Sequence, residues 1–184
     1  MATQDRKRRS GAARRARRRW TLGAGIAAAI VVAVIVGYFA YRAQADLPGQ
    51  KFADQGNLHV QTVNEPHEAY NSVPPTSGPH LPYIASWGIH TRPISNELQV
   101  HNLEDGGVVI QYNCECPEIV GQLSAIARKY PTQVVLAPYP SMPRKIALTA
   151  WTRLETLDAV DEARIERFIR AYRGLDHHPP SGLR

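Results

Sequence analysis

The sequence predicts a single α+β domain, or a closely related mixed α/β one, carried behind one N-terminal membrane-spanning helix. Three observations support this. An uncharged run of 22 residues occupies positions 20–41. Beyond it, segments of strand and helix periodicity follow one another in the order strand, loop, strand, helix, strand, strand, helix. The 184 residues, 43% apolar and 21% charged, leave room for one core plus a short appendage and exclude a wholly disordered chain.

The charge is polarised. Nine of the first 20 residues are Lys or Arg, and only Asp5 among them is acidic. The rest of the chain has 13 basic and 15 acidic side chains, so the net +6 belongs to the tail alone. Nucleic-acid binding needs cations laid along a folded face, which excludes it here. Residues 1–19 read as a basic cytoplasmic tail. Residues 20–41, rich in Ala, Val and Ile with Trp20 at one end and Tyr38 and Tyr41 at the other, have the length of a signal-anchor helix in the lipid bilayer. Ala43-Gln44-Ala45 satisfies the small-x-small pattern of a cleavage site, but the apolar run exceeds the usual signal-peptide core. Arginines before the span place the N-terminus inside and the main domain outside the cytoplasmic membrane.

Residues 42–57 mix polar residues with Gly and Pro and read as a linker. The exported domain is expected over 58–174. Leu58, Val60 and Thr62 alternate, which predicts a strand over 58–63. Six prolines between Pro66 and Pro93 exclude helix interior and central strand from the next stretch. Long irregular segments in compact domains are often functional. Residues 108–112 predict a buried strand. Ile119, Val120, Leu123, Ile126 and Ala127 predict a helix over 117–130, with Pro117 at its first position. Strands follow over 133–137 and 145–151. A last helix over 158–173 carries Glu166 four residues before Arg170 and closes at Gly174. Residues 175–184 read as a flexible tail, and His177 and His178 have no expected role.

Three stretches carry a resemblance. Tyr70-Asn71-Ser72-Val73-Pro74-Pro75-Thr76-Ser77-Gly78-Pro79-His80, then Val100-His101-Asn102-Leu103-Glu104-Asp105-Gly106-Gly107-Val108-Val109, then Ile146-Ala147-Leu148-Thr149-Ala150-Trp151 resemble a bacterial domain-of-unknown-function family, number 3105, over roughly residues 55–173. The resemblance implies a membrane-anchored exported domain. It also implies a histidine after Leu103-Glu104, where this chain has Asp105.

Two sets of side chains can carry chemistry. His80 and His101 lie in the resembling segments, on backbone read as irregular, and either fasten the proline-rich loop through hydrogen bonds or ligate a metal. Met142, in the rigid segment Tyr139-Pro140-Ser141-Met142-Pro143, would complete a soft imidazole and thioether set suited to copper, or else simply fills a core gap. Cys114 and Cys116 form the second set. With Pro117 opening the helix, Cys116 is its expected N-cap, where the helix dipole favours thiolate. Such a pair can chelate a soft metal, exchange disulfides or be structural. A strand, a dithiol at a helix start and a later strand preceded by Pro143 resemble a thioredoxin-like arrangement, with one residue rather than two between the cysteines and one helix missing. Glu104 and Asp105, before Gly-Gly, read as turn formers.

Together these features predict an uncharacterised single-pass membrane protein whose exported domain binds a soft metal such as copper through His80, His101 and Met142. The alternatives are thiol-disulfide exchange or thiol metal transfer through Cys114 and Cys116, and a non-catalytic scaffold for a partner in the cell envelope. Nothing in the pattern marks an enzyme.

Overall fold

A computed structural model describes residues 25, 29–39, 41, 42, 46–63 and 65–178. The expected basic tail, the start of the expected span and residues 179–184 lie outside the described residues. The chain divides into two units, residues 1–47 and 48–184. In the first, the described residues 25, 29–39, 41 and 42 are helical (α1), and Ile30, Val32, Val34, Ile35 and Phe39 point their apolar side chains outward. Among the described residues, no helix is long and apolar enough to cross a membrane.

The second unit is α+β. Its elements run β1 (Gln50–Lys51), β2 (Gly88–Ile89), α2 (Asn96–Glu104), β3 (Val108–Tyr112), α3 (Pro117–Ala127), β4 (Val134–Pro138), β5 (Ile146–Ala150), β6 (Arg153–Leu157) and α4 (Glu162–Tyr172). The six strands form one sheet in the order β1-β6-β5-β3-β4-β2. The half made of β3, β4 and β2 is parallel, with Val109 opposite Val135 and Gly88 also opposite Val135. The other half, β5, β6 and β1, is antiparallel. Strands β3, β4 and β5 are almost wholly buried, as their largely apolar sequences, interrupted only by Gln111 and Thr149, require of strands covered on both faces.

On one face, Val100 and Leu103 of α2 pack with Val109, Val135, Ala137 and Trp151. Helix α3 lies against β2, β3 and β4, and α4 against β5. Lys129, just beyond α3, pairs with Glu162 and Glu166 of α4, and Arg170 pairs with Glu166 at the expected helical spacing, 2.8 Å. Asp161 caps α4 by accepting from the Arg164 amide, so the helix starts at 162 rather than 158.

Three expectations change. Residues 58–63 form no strand; a single parallel bridge joins His59 to His80. Its two bonds are Val60 N to His80 O and His80 N to Leu58 O, and Leu58 and Thr62 of the alternating face are exposed rather than buried. Residues 42–57 are not a loose tether throughout. Within them β1 pairs with β6, and the Tyr172 hydroxyl donates to the Pro48 carbonyl at 2.6 Å. Residues 96–104, read as irregular, are helix α2. Its buried face includes Gln99, His101, Asn102 and Glu104, so it lacks the apolar period of an ordinary amphipathic helix. Ser95 caps it, and Gln99 accepts from Gln111 of β3.

Candidate functional site

The proline-rich stretch is a packed plug. From Ser72 to His80 nearly every residue is buried. Its backbone is held by the Gln55 amide donating to Ser77 Oγ, the Gly78 amide to the Gly56 carbonyl, and the Thr152 amide to the Thr76 carbonyl. Tyr70 Oη donates to the Pro79 carbonyl. Proline rings need no donor partner, so a loop of this composition can be buried with few amides to satisfy. Its end delivers His80, wholly buried, to the last turn of α2.

There His80 meets Glu104, whose side chain is also wholly buried. His80 Nε2 lies 2.9 Å from Glu104 Oε2, His178 Nε2 lies 3.3 Å from it, and His59 Nε2 lies 3.8 Å from it. Asn57 Nδ2 donates to Glu104 Oε1 at 3.0 Å. His101, one helical turn before Glu104, packs its ring 5.0 Å from that of His80 and 5.4 Å from that of His59. One potential ligand atom from each of His59, His80, His101 and Glu104 falls within 4.8 Å of all the others. A second such group, His101, Asp105 and His178, shares His101 with the first.

The other ring nitrogens have partners of one kind. His80 Nδ1 lies 2.7 Å from the Gly78 carbonyl, His101 Nδ1 lies 2.7 Å from the Leu81 carbonyl, and His178 Nδ1 lies 2.7 Å from Asp176 Oδ1. All three oxygens are acceptors, so each Nδ1 carries a proton and donates. A neutral imidazole then presents a bare lone pair at Nε2. At His80 that nitrogen lies 2.9 Å from a carboxylate oxygen, so either a shared proton or a metal ion can bridge the two. Histidine metal ligands are held in this way, with the far nitrogen donating to a carbonyl or carboxylate.

Burial opposes the charge on Glu104, but the bonds from His80 and Asn57 and the nearby imidazoles outweigh it, holding the carboxyl at about 2 against an ordinary 4.5. Burial pulls His101 below its usual value, against the opposing Leu81 carbonyl and Asp105. His178 is displaced upward: burial disfavours its charge, but Asp176 and Glu104 override it.

The carboxy-terminal residues close the site. Gly174 N donates to the Gly106 carbonyl and His177 N to the Glu104 carbonyl, at 2.8 and 2.9 Å. Gly106, with φ +74°, lies so close to the Leu175 backbone that a Cβ would come within 2.8 Å of it. His177 stacks on Trp151. Residues 175–178, expected to be a tail without a role, thus bring His178 to Glu104.

Of the residues expected to ligate metal, the fold brings His80 and His101 together. Met142 is elsewhere, buried with Tyr139 and Ala147 against Leu154, where it fills the core gap that single methionines usually fill. The thioether donor is therefore absent from the histidine cluster. His59, Glu104 and His178 were not expected there. The spacing His101-x-x-Glu104 places both side chains on one helical face, a signal visible only once 96–104 is known to be helix. Cys114 and Cys116 are joined as a disulfide. Cys116 is the N-cap of α3, with Pro117 following, as expected.

The family described as "Protein of unknown function (DUF3105)" matches residues 60–183. The chain belongs to this family. The match takes in His80, His101, Glu104 and His178, leaving His59 one residue outside it. No curated protein and no solved structure matches the chain. In this DUF3105 domain Asp105 lies 3.7 Å from both His101 Nε2 and His178 Nε2, adding a hard oxygen at the cluster's edge.

The depressed Glu104 carboxyl predicts an acid dependence of stability in chelator-treated protein. A group whose folded pKa is below its unfolded one stabilises above the unfolded value, and that contribution is lost as pH falls through the folded value. Between pH 5 and pH 2 the stability of the wild type should drop by at most about 3 kcal/mol more than that of Glu104→Gln. Chemical denaturation at a series of pH values measures it; parallel curves for the two proteins would contradict the assignment.

Proposed function

We propose that this domain binds one divalent late transition metal ion, copper(II) most tightly, through His59, His80, His101 and Glu104, with His178 as a further donor. The observation that carries the reading is the convergence of three imidazole Nε2 atoms on one buried carboxylate oxygen, with each Nδ1 of His80, His101 and His178 engaged by an acceptor. Tetrahedral ligands at about 2.0–2.1 Å from a metal stand roughly 3.3 Å apart. The separations of 2.9 to 3.8 Å around Glu104 Oε2 bracket that figure.

Imidazole with carboxylate suits copper(II), zinc, nickel and iron, and among divalent ions copper leads the affinity order. The absence of the Met142 sulfur from the cluster argues against a thioether-based copper(I) site. Binding would release the proton that His178 holds between Glu104, Asp105 and Asp176. The role is capture or storage of the ion, since three to five protein donors leave little space for a substrate.

We further read the outward apolar side chains of α1, the uncharged run and the preceding arginines as a bilayer anchor that holds the domain outside the cytoplasmic membrane. The order β3-α3-β4-β5-β6-α4 fits a thioredoxin-like arrangement in which the usual helix between β4 and β5 is replaced by the loop 139–145.

Titration of the purified full-length protein with Cu²⁺ against a competing chelator should give one equivalent bound. His80→Ala and Glu104→Gln should each weaken binding by more than about a hundredfold, because loss of even a ligand's supporting partner costs ten- to a hundredfold. His59→Ala, at an exposed position, provides a variant that leaves the core intact and should also weaken binding, whereas Met142→Ala should not. Equal affinity for wild type and all three cluster variants would remove the site. For the anchor, protease added to intact spheroplasts should digest the domain; a protected domain would reverse the orientation.

A further inference from the structure

A second site lies away from the histidines. Strands β2, β4 and β3 run parallel, and in such sheets ligands bind beyond the carboxyl ends of the strands. A cleft of about 600 Å³ opens there, within the size range of ligand pockets. Pro93 follows β2, Tyr112 ends β3, and Pro138 and Pro140 lie at the end of β4; their largely apolar surfaces form its sides. The Cys114–Cys116 disulfide forms another wall, and Val120, in the first turn of α3, lines it as well. Both cysteines are partly exposed to solvent.

We infer that this cleft is a thiol-disulfide exchange site for a dithiol carried on an extended apolar polypeptide. Three features of the fold point to it independently of the metal site. The two cysteines line a concavity and are partly exposed rather than buried in the core. Four prolines, Pro93, Pro117, Pro138 and Pro140, stiffen the walls, so a bound chain pays little for ordering the site. The two sulfurs are also unequal, because Cys116 is the N-cap of α3 while Cys114 lies two residues before that cap.

That inequality sets the direction of the chemistry. A thiolate of the incoming chain attacks Cys116 Sγ; the Cys114–Cys116 bond breaks and Cys114 leaves as a thiolate. A mixed disulfide now joins Cys116 to the partner. The partner's second thiolate attacks the partner sulfur of that bond and Cys116 leaves as a thiolate at the positive end of α3, the better leaving group. The partner has lost two electrons and two protons and closed its own disulfide; Cys114 and Cys116 have gained both as thiols. In the reverse direction the Cys116 thiolate attacks a partner disulfide and Cys114 resolves the adduct.

The probe is a short synthetic peptide with two cysteines flanked by leucines, used with the full-length protein and followed by mass spectrometry. The reduced peptide should open the disulfide of the folded protein with one peptide oxidised per chain. In the reverse direction, Cys114→Ser should accumulate a mixed disulfide with the oxidised peptide about tenfold faster than Cys116→Ser does. Val120→Trp, which narrows the cleft one helical turn from Cys116, should slow exchange with the peptide about tenfold more than it slows reduction by dithiothreitol. The proposal is overturned if the two single-cysteine variants react equally fast. It is also overturned if the peptide reduces the folded protein no faster than the chain unfolded in guanidinium, or if Val120→Trp exchanges like wild type. None of these readouts involves a histidine, so failure here leaves the metal site standing and the converse also holds.

Discussion

A carboxylate with no exposure to water, Glu104, is the constraint from which the rest of the domain follows. An unpaired buried charge costs several kcal/mol, so an ionised Glu104 can persist only if the fold brings it hydrogen bonds and nearby imidazoles. It does so from four directions. Asn57 comes from the segment ahead of the His59 bridge, His80 from the end of the proline-rich plug, His59 from the segment bridged to it, and His178 from the chain's carboxy-terminal end. Even the main chain takes part, because the Glu104 carbonyl accepts from the His177 amide. Segments far apart in sequence are fixed to one another through this residue.

The same constraint explains features that look unfavourable one at a time. Helix α2 buries Gln99, Asn102 and Glu104 where an ordinary helix would bury leucines, and each is satisfied: Gln99 by Asn96 and Gln111, Asn102 by both the amide and the carbonyl of Ala85. A buried polar network of this kind specifies one arrangement through its pairings, even though Gln111 Oε1 has no partner among the described residues. The plug of prolines keeps His80 dry while demanding few hydrogen bonds of its own. The fold thus holds its imidazoles in place without an ion, which would lower the ordering cost of the metal binding proposed.

Much of this was legible in the sequence, and the parts that were not share a cause. Strands β3, β4 and β5 and helices α3 and α4 are driven by apolar periodicity, and each was readable to within a few residues. Helix α2 was not, because its buried positions are polar and its identity depends on what it packs against. With α2 unread, His101 and Glu104 could not be seen to share a face, and Glu104 looked like a turn former. His59 and His178 were hidden for a different reason: they reach the site through single bridges, His59 to His80 and the His177 amide to Glu104, which leave no local pattern. Met142 shows the opposite error. A rare residue in a proline-rich segment resembled His80 in its context, yet the core claimed it.

The two candidate sites flank one strand. Glu104 and His101 precede β3 through the Gly106-Gly107 turn, and the cysteines follow its other end. A five-residue strand spans roughly 16 Å, so no single ion can be shared between them. The central claim is therefore open to one direct measurement, X-ray absorption at the copper edge of the full-length protein loaded with one equivalent of Cu²⁺. Ligation by the histidine cluster predicts a shell of nitrogen and oxygen at about 2.0 Å, with the outer-shell scattering characteristic of several imidazoles. A sulfur scatterer at about 2.3 Å, from Met142 or from the cysteines, or a shell without imidazole, would contradict it.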